Sequence, residues 1–204
     1  KIIRVSNELL QDSGIDIESY LAARIAQRIG RGEAKYLVKG TGVGAPVQPK
    51  GLDTSVTGTV ESAAAISWTD INALKHAIDP AYRNSPKFRL AFNDSTLKSL
   101  TEMVDGNKRP LWLPEITGVA PATILGMQYA IDQAIDSAEA GKKFIFCGDF
   151  DRFIIRRVTY MTLKRLVERY AEFDQTAFLA FHRFDCCLED TSAIKALVAK
   201  GAGK

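Results

Sequence analysis

Reactive and ligating side chains are scarce in this sequence. It holds three cysteines and two histidines, His76 and His182, with no Cys-x-x-Cys pair. A zinc centre asks for Cys and His ligands repeated at two-to-four-residue spacing, so metal ligation is not expected. Three cysteines cannot all pair internally, and the adjacent Cys186 and Cys187 point to opposite faces of any strand that carries them. A reduced, cytosolic setting follows as the expectation. No apolar run approaches the roughly 18 residues of a membrane-spanning helix, and no signal-peptide pattern opens the chain. Nor is there a dominant charge: 27 Lys and Arg stand against 24 Asp and Glu, a net +3. That is mild beside the basic bias of a protein whose main task is holding nucleic acid.

What remains is ordinary globular material, 204 residues at 46% hydrophobic and 25% charged, long enough to bury a real core in one or two domains. The first residue is Lys1 rather than Met, and the text starts in mid-pattern with Ile2-Ile3-Arg4-Val5. The expectation is a fragment lacking an N-terminal part.

From Asp16 to Val38 the apolar residues Ile17, Tyr20, Leu21, Ile25, Ile29, Leu37 and Val38 recur mostly at steps of three and four. Asp16, Glu18 and Ser19 suit a helix start, and the helix would be roughly 35 Å long, a spine for the molecule. Gly30 and Gly32 weaken its middle by about 1 kcal/mol each, which makes it the place to expect a bend. Gly40-Thr41-Gly42-Val43-Gly44-Ala45-Pro46 follows, with Gly40 as the expected C-cap. A phosphate cradle follows a strand and opens a helix, whereas this loop follows a helix, leads into Ser/Thr-rich coil and lacks a Gly-Lys-Ser/Thr ending. It reads as a structural exit loop.

Residues 57–148 read as a compact α/β unit. An amphipathic helix over Thr69–Ile78 ends at Asp79-Pro80. A strand follows over Phe88–Phe92, and Asn93 or Ser95 caps a second helix over Thr96–Val104. Two more strands cover Gly126–Ile131 and Phe144–Cys147, giving a small mixed sheet covered by helices. After Asp149, Arg152–Val158 alternates as a strand, Leu163–Tyr170 is basic and of undecided type, and Gln175–Leu188 is the longest strand candidate. Its Phe178, Ala180, Phe184, Cys186 and Leu188 share one face, with Phe181, Arg183 and Asp185 on the other. Thr191-Ser192-Ala193 suits the start of a short terminal helix. The long strand and the spine helix flank the α/β unit and should pack together, giving one discontinuous domain with a second inserted.

Two stretches, Asp149–Arg156 and Phe178–Asp185, set charges among bulky residues that a solitary fold has little reason to keep there. Such charges are usually paired, and a partner chain can supply the pairing. The candidates for contact between subunits are Arg152, Arg156, Arg157, Arg165, Arg169, Arg183 and Asp185. For the basic run, which also holds Lys164, three readings stand: a solvated face, bidentate pairing with carboxylates of a neighbour, and non-specific phosphate contact. No catalytic, cofactor or metal residues are predicted. His182 and Asp185 point to opposite faces of a strand, which argues against a nucleophile and base with Cys186 or Cys187.

Taken in order, the segments resemble the major capsid proteins of tailed bacteriophages, with the Hong Kong 97-like fold. The resemblance lies in Ile3–Ser13 as entry to the spine helix, in the glycine loop Gly40–Pro46, and in Asp79–Arg83, Asn93–Leu97, Ile124–Gly126 and Phe146–Phe150. Arg183 sits where similar proteins carry an arginine in the last long strand. The resemblance implies an α+β fold with a peripheral domain, residues 1–56 and 149–204, around an axial domain, 57–148. It implies no enzyme and no cofactor but a structural protein, self-assembling through pentamers and hexamers into an icosahedral shell around a phage or prophage genome. Scaffold, protease and portal proteins, and non-specific contact with packaged DNA, come with that reading, as does a place in the virion after assembly in the bacterial cytoplasm; no membrane is involved. Some members weld subunits through a lysine–asparagine bond, but Leu166–Phe173 has no asparagine, so that chemistry is not predicted. The rivals are an encapsulin-like compartment holding an enzyme, a small α/β thiol enzyme using Cys147 or Cys187, and a basic nucleic-acid-binding module.

Overall fold

The computed structural model describes residues 2–62, 66–105, 107–109, 111, 123–158 and 162–200. In chain order the elements are β1 (Ile2–Ser6), α1 (Asn7–Asp12), α2 (Ile17–Lys39), α3 (Leu52–Ser55), β2 (Thr59–Ser62), α4 (Trp68–His76), α5 (Pro80–Arg83), β3 (Phe88–Phe92) and α6 (Asp94–Thr101). Then come β4 (Thr123–Ile124), β5 (Met127–Ile131), β6 (Lys143–Asp149), a short 3-10 helix (Phe150–Arg152), β7 (Phe153–Arg157) and β8 (Thr162–Leu166). A second 3-10 stretch (Glu168–Phe173), β9 (Gln175–Phe181), β10 (Phe184–Leu188) and β11 (Ile194–Ala199) complete the chain. The class is mixed α+β, as expected.

The chain forms two compact units, Lys1–Tyr36 with Ile155–Asp185, and Leu37–Ile154 with Cys186–Lys204. In the first, β9 is the centre of a three-stranded antiparallel sheet, with β1 on one side and β8 on the other. Ile3 stands opposite Phe178 and Val5 opposite Thr176. One face of this sheet, with Val5, Phe178 and Ala180 buried, is its apolar side. The corner where β1 passes into α1 is pinned by side chains. The Asn7 amide donates to Asp174 Oδ1 at 2.6 Å, and the Thr176 hydroxyl donates to Asn7 Oδ1 at 2.7 Å. Asp174 sits in the left-handed region, φ 49°, and ends the second 3-10 stretch.

Helix α2 starts as its sequence suggests. Asp16 Oδ1 accepts from the backbone N–H of Glu18 and Ser19 at 3.1 and 3.2 Å, satisfying donors that a helix start leaves open. The Ser19 hydroxyl donates to the same carboxylate, and these bonds hold the Asp16 pKa below its ordinary value. The helix then runs unbroken through Gly30 and Gly32 to Lys39. In the exit loop the left-handed conformations fall on Gly42 and Gly44, φ 73° and 116°, rather than on Gly40.

The second unit is built on a six-stranded sheet ordered β2-β11-β6-β3-β5-β4. Strands β11 and β2, and β3 and β5, run parallel; the remaining pairs are antiparallel. Ser67 and Asp70 form a reciprocal capping box at the start of α4, and Asn93 caps α6 by accepting from Ser95 N–H at 3.0 Å. Strand β3 alternates, so Phe88, Leu90 and Phe92 share one buried face. Both faces of the sheet are covered. Ile71, Leu74 and Ile78 pack with Leu90, Phe144 and Leu197 in one cluster, while Val38, Leu52, Val56, Phe146, Ile194 and Ala196 form another.

Two expectations are corrected here. Ile194–Ala199, read as the body of a short terminal helix opened by Thr191-Ser192-Ala193, is β11, an inner strand between β2 and β6. Its Ile194, Ala196 and Leu197 are fully buried, and burial on both faces erases the alternation that marks a half-buried strand. The Thr191-Ser192 pair makes a turn instead, with Asp190 Oδ1 accepting from Ser192 N–H at 2.7 Å. Gln175–Leu188 is not one strand either: pairing breaks at His182-Arg183, and β10 leaves the β1-β9-β8 sheet to form a two-stranded ribbon with β7. The undecided stretch Leu163–Tyr170 divides between β8 and 3-10 helix, and Arg152 precedes β7 instead of lying in it.

Candidate assembly surface

The arginines singled out in the sequence meet different fates. Within the second unit Arg152 donates to Glu189 Oε2 at 3.1 Å. Within the first unit Arg165 meets Glu18 at 2.7 Å, and Arg157 donates through Nε to Glu33. Arg169 lies over the Tyr170 ring, its guanidinium carbon 5.7 Å from the centroid, and Arg4 lies over the same ring at 5.5 Å. Arg156 and Arg183 are exposed, and their side chains have no hydrogen bond or ion pair among the described residues. Asp185 is exposed and engaged within the chain. The basic run is thus not one patch; much of it is neutralised locally, and the exposed pairs Arg152–Glu189 and Arg165–Glu18 are worth about 0–1 kcal/mol each.

A residue the sequence reading passed over organises the first unit. Glu33 is only 8% exposed, yet it lies one turn beyond Ile25 and Ile29 on the inward stripe of α2. A buried carboxylate needs partners. Glu33 has two: Arg157 from β7, and His182 Nε2 at 3.2 Å from the turn between β9 and β10. His182 also stacks on Phe184, with ring centroids 5.8 Å apart. The cluster closes one end of an open groove of about 680 Å³, whose walls include Ile3, Ile25, Ile29, Ala180, Phe181 and Phe184. The signal available in the sequence was a lone acid at helical spacing within an apolar stripe.

The first unit also leaves large apolar side chains in water. Ile15 is 72% exposed, Phe173 61% and Phe181 53%, with Tyr20, Tyr36 and Leu9 also exposed. Contiguous exposed apolar surface marks an interaction face more often than it marks a solitary protein.

The exposed side of α2, where Arg28 also stands at the rim of that groove, carries a second feature that sequence reading missed. Arg24, Arg28, Arg31 and Lys35 recur at steps of four, three and four, placing them within an arc of about 60° on the helix. All are exposed. Like charges at these spacings oppose helix formation by about 0.2–0.5 kcal/mol per pair. Spread over a helical period, the row was less conspicuous than the clustered arginines after Asp149.

Of the two cysteines considered for thiol chemistry, Cys187 is exposed and Cys147 is not. Cys147 is fully buried in β6, its Sγ 3.8 Å from Met127 Sδ, and burial pushes its pKa up to about 12, so it is a neutral thiol at ordinary pH. His182 is committed to Glu33. No His, Cys, Asp or Glu cluster suited to a metal ion occurs among the described residues, and no described helix is long and apolar enough to cross a membrane.

Comparison with known proteins gives a consistent result. The model of the phage capsid family matches residues 1–199. No curated protein sequence matches. Among solved structures, the capsid of an empty GTA particle computed with C5 symmetry superposes with a TM-score of 0.89 at 26% identity, over 98% of this chain and 72% of that one. The capsid of a native GTA particle, also computed with C5 symmetry, gives 0.89 at 25% identity, over 98% and 71%. A structure from Gordonia phage Cozz shares the fold, with a TM-score of 0.74 at 14% identity, over 98% and 69%.

Proposed function

The chain belongs to the phage capsid family and is a structural capsid protein, and from that premise we propose that it is one of many copies closing into an icosahedral shell around a genome. In this reading residues 1–56 and 149–204 form the peripheral wall of the shell, and 57–148 form the axial domain that meets neighbours around pentamer and hexamer axes. The observation that carries it is the match along nearly the whole chain to a capsid of C5 symmetry. The physics is consistent: many weak symmetric contacts, each too small to hold a dimer, sum over a closed surface. Arg156 and Arg183, exposed and unpaired among the described residues, are the side chains best placed to meet carboxylates of a neighbour. The work of the protein is assembly rather than catalysis, in the virion capsid after assembly in the bacterial cytoplasm, with scaffold, protease and portal proteins as further partners. A compartment holding an enzyme is not favoured by the comparisons.

Negative-stain electron microscopy of the whole gene product tests this. Uniform closed shells that copurify with nucleic acid are expected. Closed shells filled by an enzyme, or a gene product that stays monomeric when supplied with its neighbouring genes, would contradict it.

A further inference from the structure

We propose that the outer face of α2, with Arg24, Arg28, Arg31 and Lys35, is a phosphate-contacting track for duplex DNA, held without reading its sequence; the inference rests on the shell reading above. The geometry suits a polyanion. Arg24 and Lys35 are 11 residues apart, so the row spans about 16 Å along the helix, with a charge roughly every 5 Å. Each DNA strand presents one phosphate per 3.4 Å of its axis.

The charges are available. The side chains of Arg28, Arg31 and Lys35 have no hydrogen bond or ion pair among the described residues. Arg24 reaches only the neutral Gln27 amide, at 3.3 Å, and the Tyr20 ring, at 5.1 Å. Glu33 is the one carboxylate of α2 beyond Glu18; it lies on the inward side, buried and held by Arg157. The run after Asp149 has no comparable standing, because Arg152, Arg157 and Arg165 are each engaged by a carboxylate.

Access is open as well. To one side of the row lie Ala23 and Gly30, both exposed, and a methyl group added at Gly30 would meet nothing within 4 Å. A bulky backbone can therefore approach the helix surface. The row offers cations and little else, so it fits contact with phosphates and leaves the base edges unread.

The competing occupant, an acidic surface of a second copy, is the poorer match. Two stretches of the chain gather exposed carboxylates, Glu8, Asp12, Asp16 and Glu18, and Glu168, Glu172 and Asp174. Asp16 is used as the cap of α2, Glu18 is taken by Arg165, and Asp174 by Asn7. Each stretch thus keeps two carboxylates for a row of four cations.

The test is fluorescence anisotropy of the purified 204-residue chain with 30-base-pair duplexes of unrelated sequence, between 50 and 200 mM salt. Four phosphate contacts predict a slope of log K against log salt near about −3.6, the same for every duplex. R28Q/R31Q should make it shallower by about 1.8, and R28K/R31K should keep it. R156Q/R183Q, removing exposed arginines elsewhere, should leave it unchanged. Circular dichroism establishes that each variant is folded. An unchanged slope in R28Q/R31Q, loss of the slope in R156Q/R183Q instead, or no binding by the parent chain at 50 mM salt would overturn the track. Folded R28Q/R31Q that fails to form shells while binding DNA like the parent would assign the row to a second copy and also overturn it. Failure of the parent gene product to form shells bears on the shell reading alone, since the slope is read on the unassembled chain.

Discussion

The two units of the chain differ in how their sheets spend apolar residues, although the second also exposes Val43 and Val47 in a loop. In the second, both faces of a six-stranded sheet are covered, and Phe92, Phe144 and Phe146 disappear from solvent. In the first, a three-stranded sheet and most of a long helix bury little beyond Val5, Ile25, Ala177, Phe178 and Ala180, while Ile15, Phe173 and Phe181 stay in water. A fully buried large apolar side chain contributes roughly 1.5–3 kcal/mol, so the second unit holds most of what keeps a lone subunit folded. On the proposed reading, the first holds the contacts that other chains complete. Folding and assembly are then written in different parts of one sequence, and a substitution should disturb one or the other according to where it falls.

The sharpest break should come from the second unit. Phe144→Ala empties a fully buried position and should lower subunit stability by about 3–5 kcal/mol in chemical denaturation, abolishing shells through loss of folded protein. Next is Glu33→Ala in the first unit, which leaves His182 and Arg157 without their carboxylate. A loss of about 1.5–3 kcal/mol is expected, with Arg157, which is largely exposed, recovering water and His182 bearing most of the effect. Phe181→Ser should leave subunit stability within about 0.5 kcal/mol yet reduce shell yield, because the side chain is already exposed. Arg183→Ala should do likewise, and Lys98→Ala, whose partner Glu102 lies 3.8 Å away on the same exposed helix face, should do neither. Equal shell yields from Arg183→Ala and Lys98→Ala would remove Arg183 from the contact surface.

A pH test sharpens the account of the second unit. Tyr82 donates to Asp190, which holds the Asp190 pKa below its ordinary 3.8 and the Tyr82 pKa above its ordinary 10.0. The carboxylate's contribution to stability is therefore complete above pH 3.8 and is lost as pH falls through the lowered value. The phenol's contribution is complete below pH 10.0 and is lost as pH rises through the raised value. Tyr82→Phe should lower stability most across the neutral plateau, with little effect at either extreme, so that the profile against pH flattens. The smallest effect is a gain. Arg28→Ala with Arg31→Ala relieves like-charge spacings on α2 and should raise stability by about a few tenths of a kcal/mol, seen as a slightly higher melting temperature. A lower melting temperature would show that the row is held by partners inside the subunit.

Local signals made part of this legible in the sequence. The apolar period of α2, its Asp16 start and the alternation of Phe88–Phe92 are short-range features, and those elements fall where they were expected; of the two caps offered for the next helix the structure uses Asn93, and the helix runs Asp94–Thr101 instead of Thr96–Val104. Long-range features were harder. Strand β11 is buried between two neighbours and carries no alternation, so the preceding Thr191-Ser192 suggested a helix cap. The break at His182 depends on Glu33, far away in sequence, drawing the ring inward. Of the predicted contact residues, Arg152, Arg157 and Arg165 could not be separated from Arg156 and Arg183 in one dimension. The carboxylates that engage the first three lie 37, 124 and 147 residues away along the chain.

Hydrogen exchange of assembled shells against free subunits tests most directly the claim that the first unit is completed by its neighbours. The account predicts that protection is gained on assembly over α2 and β8–β9, with the β6–β11 core of the second unit already protected in the free subunit. Protection gained chiefly in that core, with α2 and β8–β9 exchanging equally in both states, would contradict it.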